Sequence, residues 1–312
     1  MPNINFVKVM SELGAGTRGA SLGYDALVTA SHNTGNTLLN SYPTVTVPTK
    51  NEALYNIVST PFAKHIHANQ DVFGAIHKCI SEVMQSNSFP VVLAGDHSTA
   101  AATIQAIKIA EPNKKLGVVW IDAHADLHSP YTTPSGNIHG MPLAIALKED
   151  NKGNSINALD KNTKVAWETI CGSPSILAED IVFFGVRDTE IPEDELILAK
   201  GIKNISVEEL RLKGAKQATQ EALDYLSSCD HIYISFDVDS MDSAISEGTG
   251  TPVINGFSAV EAHKIISYIL KSGKVSCFEM VEINPTLDHK GNIMAETAFD
   301  VLNEAVKILE NQ

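Results

Sequence analysis

Five short apolar runs, Phe89–Ala94, Leu116–Ile121, Ile181–Val186, His231–Phe236 and Val275–Val281, each give way to ionisable residues within two positions. Their length suits buried strands, and the stretches between them carry apolar residues at helical spacing. Asp71–Gln85 places Val72, Phe73, Ile76, Cys79, Ile80, Val83 and Met84 on such a pattern. Ser258–Lys271 opens with a capping box, Ser258 and Glu261, and stops before Gly273. Ala295–Leu309 repeats the pattern through Phe299, Leu302, Val306 and Leu309. Strand alternating with helix predicts an α/β fold with a parallel sheet covered on both faces. No internal repeat or low-complexity linker divides the chain, so residues 1–312 read as a single domain. Thr29–Lys50 and Lys148–Thr163 read as surface loops within it.

The formal charge of −14 argues against nucleic acid or an anionic membrane as partner, since both are met by basic patches. No apolar stretch approaches the ~18 residues of a membrane span. Cys79, Cys171, Cys229 and Cys277 are scattered without CxxC spacing, which suits reduced cysteines better than a disulfide framework. The beginning, MPNINFVKVMSELGAG, lacks a basic segment followed by a long apolar one. These features predict a cytoplasmic protein.

In open parallel sheets, ligands bind beyond the carboxyl ends of the strands. There the sequence supplies Asp96-His97, then Asp122-Ala123-His124-Ala125-Asp126, Arg187-Asp188, Asp237-Val238-Asp239 and Glu282. Extended backbone sends every second side chain to one side. Asp122, His124 and Asp126 therefore share a face if the strand continues that far, as do Asp237 and Asp239. Four carboxylates on one face repel strongly in a low dielectric, and bound cations are the remedy. Two divalent ions balance four aspartates, while His97 and His124 add neutral nitrogen ligands. An oxygen and nitrogen set without sulfur suits Mn²⁺, with Fe²⁺, Co²⁺ or Ni²⁺ as competitors. Two such ions ~3.5–4 Å apart hold a shared water and supply hydroxide at neutral pH.

Each motif alone has a plainer meaning. DxHxD could end a solvated strand, His97 could cap a helix beginning near Thr99, and DVD could sit on a loop. His65 and His67 read as surface residues at a helix start, Cys277 as a buried filler, and Arg187 with Asp188 as a structural pair. Three acidic motifs, each directly after a buried strand, point together to a metal centre.

These same residues make the chain similar to the ureohydrolase (arginase/agmatinase) family, and within it closest to arginases. The matching stretches are AGDHS (94–98), WIDAHADLH (120–128), SGNIHG (135–140), SFDVDSMD (235–242), GTGTP (248–252) and VEINP (281–285), with ELGAGTRGASLG (12–23) matching the first strand and loop. The resemblance implies a three-layer α/β/α fold around a parallel, about eight-stranded sheet, assembled as a homo-oligomer, a trimer or hexamer. It implies one Mn²⁺ held by His97, Asp122, Asp126 and Asp237, and a second held by Asp122, His124, Asp237 and Asp239. His139 matches the proton-shuttling histidine and Glu282 the acid that receives the guanidinium; Asp126 joins them in the expected catalytic set. Ser135, Asn137, Glu193 and Thr251 match substrate-side positions. The implied reaction is hydrolysis of a guanidino compound by metal-bridging hydroxide, with L-arginine giving L-ornithine and urea.

Departures fall on the substrate side. Arginases usually carry Asn at the position of His128 and Asp at that of Glu190; Ala94 and Ser243 replace a usual Gly and Pro. Another guanidino substrate, such as guanidinobutyrate or agmatine, is the alternative, and the carboxylate-reading Ser135 and Asn137 count against agmatine. A zinc deacetylase-like enzyme would need one metal where this chain provides for two, and a retired scaffold would show gaps among the six ligands.

Overall fold

The computed structural model describes residues 3–172 and 174–312. Eight parallel strands form one sheet: β1 (Asn3–Val9), β2 (Thr44–Thr46), β3 (Ser88–Ala94), β4 (Leu116–Ile121), β5 (Ile181–Phe184), β6 (Lys203–Ile205), β7 (His231–Asp237) and β8 (Val275–Val281). Their order is β2-β1-β3-β8-β7-β4-β5-β6. Val118, Val119, Trp120 and Ile121 of β4 are all 0% exposed, as a strand covered on both faces must be.

Helices Ile66–Gln85, Ala100–Ala110, Pro142–Leu147 and Lys161–Cys171 cover one face. Gly23–Asn33, Ala215–Tyr225, Ala259–Leu270 and Ile293–Glu310 cover the other, completing the three layers. The Ser258–Glu261 capping box closes in both directions at the start of Ala259–Leu270. The amphipathic helix expected from Asp71 begins five residues earlier, at Ile66.

Two expectations are corrected. Thr29–Lys50 is not wholly loop: Thr44–Thr46 pairs with β1 and caps that edge of the sheet. The strand carrying Asp122 does not run on to Asp126; β4 ends at Ile121, and Asp126 turns into the left-handed region at φ 53°. Among the described residues, no helix is long and apolar enough to cross a membrane.

The four central strands, β3, β8, β7 and β4, deliver Asp96-His97, Glu282, Asp237 and Asp122 side by side at their carboxyl ends. Close approach of the first loop needs Gly95, because a Cβ there would sit 2.0 Å from the Ser11 carbonyl oxygen.

Candidate functional site

Around His97 the donors converge on one atom. Its Nδ1 lies 3.0 Å from Asp122 Oδ2, 3.1 Å from Asp126 Oδ2 and 3.1 Å from Asp237 Oδ2. His124 Nδ1 lies 3.1 Å from Asp239 Oδ2 and 3.5 Å from Asp122 Oδ1. Two groups of donors therefore form, His97–Asp122–Asp237 and Asp122–His124–Asp239, each with its atoms within 4.8 Å of one another and sharing Asp122. Asp237 joins the first group, and its Oδ1 accepts from the Asp239 N–H at 2.8 Å.

Whether divalent cations fit here is tested by unpaired atoms. His97 Nδ1 and Asp122 Oδ2 are buried with no hydrogen-bond geometry to any partner, although they are 3.0 Å apart. Buried polar groups without partners are costly and rare. Ligands each ~2.1 Å from a common ion, at roughly right angles, stand ~3.0 Å apart. The spacing around Nδ1 matches that arrangement, and the all-oxygen-and-imidazole set fits two divalent ions.

Electrostatics agree. Burial, then the charge of Asp122, pushes Asp126 up to about 6. Burial and the charges of Asp239 and Asp122 push Asp237 well above the carboxylate range. Burial opposes a charge on His97, but the carboxylates of Asp122, Asp126 and Asp237 gathered around Nδ1 outweigh it and raise its pKa. Protons crowd where acids are crowded, which is the site a cation occupies.

The remaining expected residues ring the same cavity of about 470 Å³. Glu282 sits at φ 66°, with Oε1 accepting from the His97 N–H at 2.9 Å and facing His139 Nδ1 at 3.3 Å. Burial pushes Glu282 up, but His139 and that backbone N–H hold it below its ordinary value. Thr251 donates to Asp239 Oδ2 at 3.0 Å, so it braces a candidate ligand. Ser135 Oγ accepts from the Asn137 N–H at 3.2 Å, and Asn137 Oδ1 accepts from Lys64 Nζ at 3.1 Å. Gly136 lets this loop pass: it has φ 76°, and a Cβ would meet the Pro61 carbonyl oxygen at 1.9 Å.

His128 and Glu190, the two substrate-side departures, touch each other. His128 Nε2 lies 2.8 Å from Glu190 Oε2 and 3.4 Å from Glu193 Oε2, while its Nδ1 faces Thr132 Oγ1 at 3.1 Å. Glu190 is held down to about 2, chiefly by that hydrogen bond. Glu193, 3% exposed, is pushed up to about 8 by burial; its Oε1 accepts from the Leu127 N–H at 3.0 Å.

Arg187 does not pair with Asp188. Its guanidinium donates to the carbonyls of Gly185, Asp239, Ser240, Val253 and Ile254, pinning the turn that carries Asp239. Asp188 instead places Oδ2 3.6 Å from His124 Nε2. The sequence reading also passed over Thr133, which lines the cavity and accepts from the Gly136 N–H at 2.9 Å; Asp96, expected at the ligand-binding edge, has its carboxylate accepting from the N–H groups of Gly14 and Ser98. Trp120, stacked on the His97 ring at 4.1 Å between centroids, and Ser235, 2.7 Å from His97 Nε2, were missed too. Period-two spacing from Asp122 and Asp237 was the available signal for these last two.

Comparison with known proteins agrees with this geometry. The Arginase family model matches residues 3–307. Arginase of Bacillus subtilis (strain 168) is 37% identical over 223 residues, covering 72% of this chain and 70% of its own length. Mouse Arginase-1 is 36% identical over 264 residues, covering 84% and 76%. The native structure of arginase from Bacillus caldovelox superposes with a TM-score of 0.84 at 30% identity, over 98% of both chains. A match along nearly the whole length, in sequence and in fold, leads to one conclusion: the chain belongs to the arginase family.

Proposed function

We propose that the protein hydrolyses a guanidino substrate, L-arginine to L-ornithine and urea, using two Mn²⁺ ions held by His97, Asp122, His124, Asp126, Asp237 and Asp239. The observation that carries this reading is the pair of donor groups joined through Asp122, with unpartnered His97 Nδ1 and Asp122 Oδ2 at their centre. When bound, such an ion pair supplies a water acidified to nucleophilic strength near neutral pH.

The protein's own groups do the rest. Guanidinium carbon is a poor electrophile because three nitrogens share its charge, so it must be held in one orientation. Glu282, buried at the carboxyl end of β8, accepts hydrogen bonds from the planar cation. His139, facing Glu282 through Nδ1, holds the proton that the leaving nitrogen takes as its bond to carbon breaks. Ser135 and Asn137 receive the substrate's carboxylate; Glu193 and Thr251 fix the surrounding turns. The same reading takes residues 1–312 as one domain and the protein as a cytoplasmic homo-oligomer; four free, buried cysteines suit a reducing compartment.

A second reading is favoured by one observation. Glu190 Oε2, the group that would meet an α-ammonium, is already engaged by His128 Nε2 at 2.8 Å. A guanidino acid without the α-amino group avoids that competition. Urea release from a panel of guanidino compounds, after Mn²⁺ loading, decides between them. Arginine turning over fastest supports the first reading, and preference for des-amino acids supports the second. No urea from any compound, or one tightly held Zn²⁺ with amidase activity, overturns both.

A further inference from the structure

One cation reaches the loop of Ser135 and Asn137, and the proposed reaction assigns it no task. The cavity is lined by seven acids and, among the described residues, by no lysine or arginine. Such a wall suits a guanidinium and repels the far end of a substrate that carries a carboxylate. Lys64 stands just outside the lining, with Nζ donating to Asn137 Oδ1 at 3.1 Å. Arg18 acts on the same turn: burial, then the charges of Arg18 and Lys64, holds His65 below its ordinary value. Two cations therefore gather at this edge of a chain whose net charge is −14.

Local structure puts Lys64 there. It lies two residues before helix Ile66–Gln85 opens, and His65 between them turns into the left-handed region at φ 56°, which is uncommon outside glycine. The Lys64 N–H donates to the Gly136 carbonyl at 2.8 Å, tying this turn to the loop of Ser135 and Asn137. An ammonium only donates, so the Asn137 atom that faces Nζ is its oxygen. The amide must then turn its NH₂ the other way, and Nδ2 has no hydrogen-bond partner among the described residues. A Cβ at Gly16 would lie 2.6 Å from Nδ2, so glycine there leaves it uncovered. Ser135 Oγ accepts from the Asn137 N–H, which leaves its own O–H to donate. Both side chains thus offer hydrogens to a ligand's oxygen.

We propose that Lys64 is a positioning residue for Asn137 and a determinant of substrate choice: by holding Oδ1 it commits the amide to donate, and its charge offsets the acidic wall, so the site selects guanidino compounds that carry a carboxylate over those that end in an ammonium. The inference deepens the guanidino-hydrolase reading above and rests on it. Hydrogen bonds involving a charged group are strong enough that losing one weakens binding about tenfold.

The test is urea release by the Mn²⁺-loaded full chain and by its Lys64→Met and Lys64→Arg variants, with L-arginine, 5-guanidinopentanoate and agmatine as substrates. The last two carry the guanidinium on the same length of chain, one ending in a carboxylate and the other in an ammonium. Metal analysis and thermal melts report site loading and packing separately. Lys64→Met should keep its metal and raise KM for the carboxylate compounds about tenfold, with kcat within about twofold of wild type. The kcat/KM ratio of 5-guanidinopentanoate to agmatine should fall by the same factor. Lys64→Arg keeps the charge and the donors and should bring KM back to within about threefold of wild type. An unchanged KM in Lys64→Met, a loss that falls on kcat or equally on agmatine, or no rescue by Lys64→Arg would overturn the proposal while leaving the guanidino reading intact. Where agmatine turns over too slowly to measure, the split between KM and kcat and the rescue decide the question. A wild-type chain that releases no urea from any guanidino compound would overturn both.

Discussion

Replacing His128 by Asn should change what the enzyme prefers without unfolding it. His128 Nε2 and Glu190 Oε2 are 2.8 Å apart, but the Glu190 side chain is 55% exposed, so water and salt screen the pair. An exposed pair contributes about 0.2–1 kcal/mol; the His128 side chain is itself 9% exposed, so its replacement by the smaller Asn adds a loss of packing to that figure. The effect on substrate is separate. With the imidazole gone, Glu190 Oε2 is free to accept from a ligand's ammonium, and a hydrogen bond to a charged group is worth about 1.5–3 kcal/mol. That corresponds to about tenfold to a hundredfold in relative kcat/KM. The control substrate is 5-guanidinopentanoate, which is arginine without its α-amino group and so makes no use of the freed carboxylate. Urea release by the Mn²⁺-loaded protein should show the arginine to 5-guanidinopentanoate ratio rising by that factor in His128→Asn, with little change for the des-amino acid. A ratio within about twofold of wild type would refute the idea that this pair competes for the ammonium.

Asp126→Asn should hold fewer ions than wild type by metal analysis, yet melt no lower when metal-free. Asn tolerates the left-handed backbone at φ 53°, and the change removes one charge from a crowded cluster. A lower metal-free melting temperature would count against carboxylate repulsion as the dominant force. Chelation of the wild type should lower its melting temperature, since a site filled at a hundred times its Kd stabilises the fold by about 2.7 kcal/mol; an unchanged melt would refute metal occupancy. Burial raises Glu193 from 4.5 to about 8, so the folded state keeps a proton that the unfolded chain releases. Its stabilising contribution is present below pH 4.5 and lost as pH rises to about 8. Glu193→Gln should therefore gain on wild type in metal-free melts across that window, and parallel curves would refute the assignment.

What the sequence made legible follows from its geometry. Buried parallel strands are apolar along their whole length, so β4 and β8 stand out with the bounds read from sequence. The polar residues directly after them had to lie at the ligand-binding edge. β2 and β6 span three residues each and carry polar side chains, so no periodicity could form. Neighbours in sequence also misled: Arg187 adjoins Asp188, yet four of its donors are taken by carbonyls from two turns distant in the chain and the fifth by the Gly185 carbonyl. Ser235 and Trp120 lay in plain view two residues before Asp237 and Asp122. A serine and a tryptophan in a core strand announce packing, and only the 2.7 Å and 4.1 Å contacts with His97 give them a second task.

The least legible feature is also the one that assembles the site. Alternation along an extended strand would carry Asp126 about 13 Å beyond Asp122. The left-handed turn at Asp126 folds it back, so that both carboxylates meet His97 Nδ1. Glu282 makes the same turn as β8 ends, at φ 66°, which brings its Oε1 against the His97 N–H and His139. Such backbone costs about 1–3 kcal/mol at a residue other than glycine and persists only where its surroundings enforce it. Here they do: the Asp126 carbonyl accepts from the N–H of Leu143, and the Glu282 N–H donates to the Gly95 carbonyl. Glycine would relieve the strain at either position and would leave no carboxylate. An acid at both turns is therefore accounted for by the charge it brings to the cavity, and not by the fold it makes harder to form.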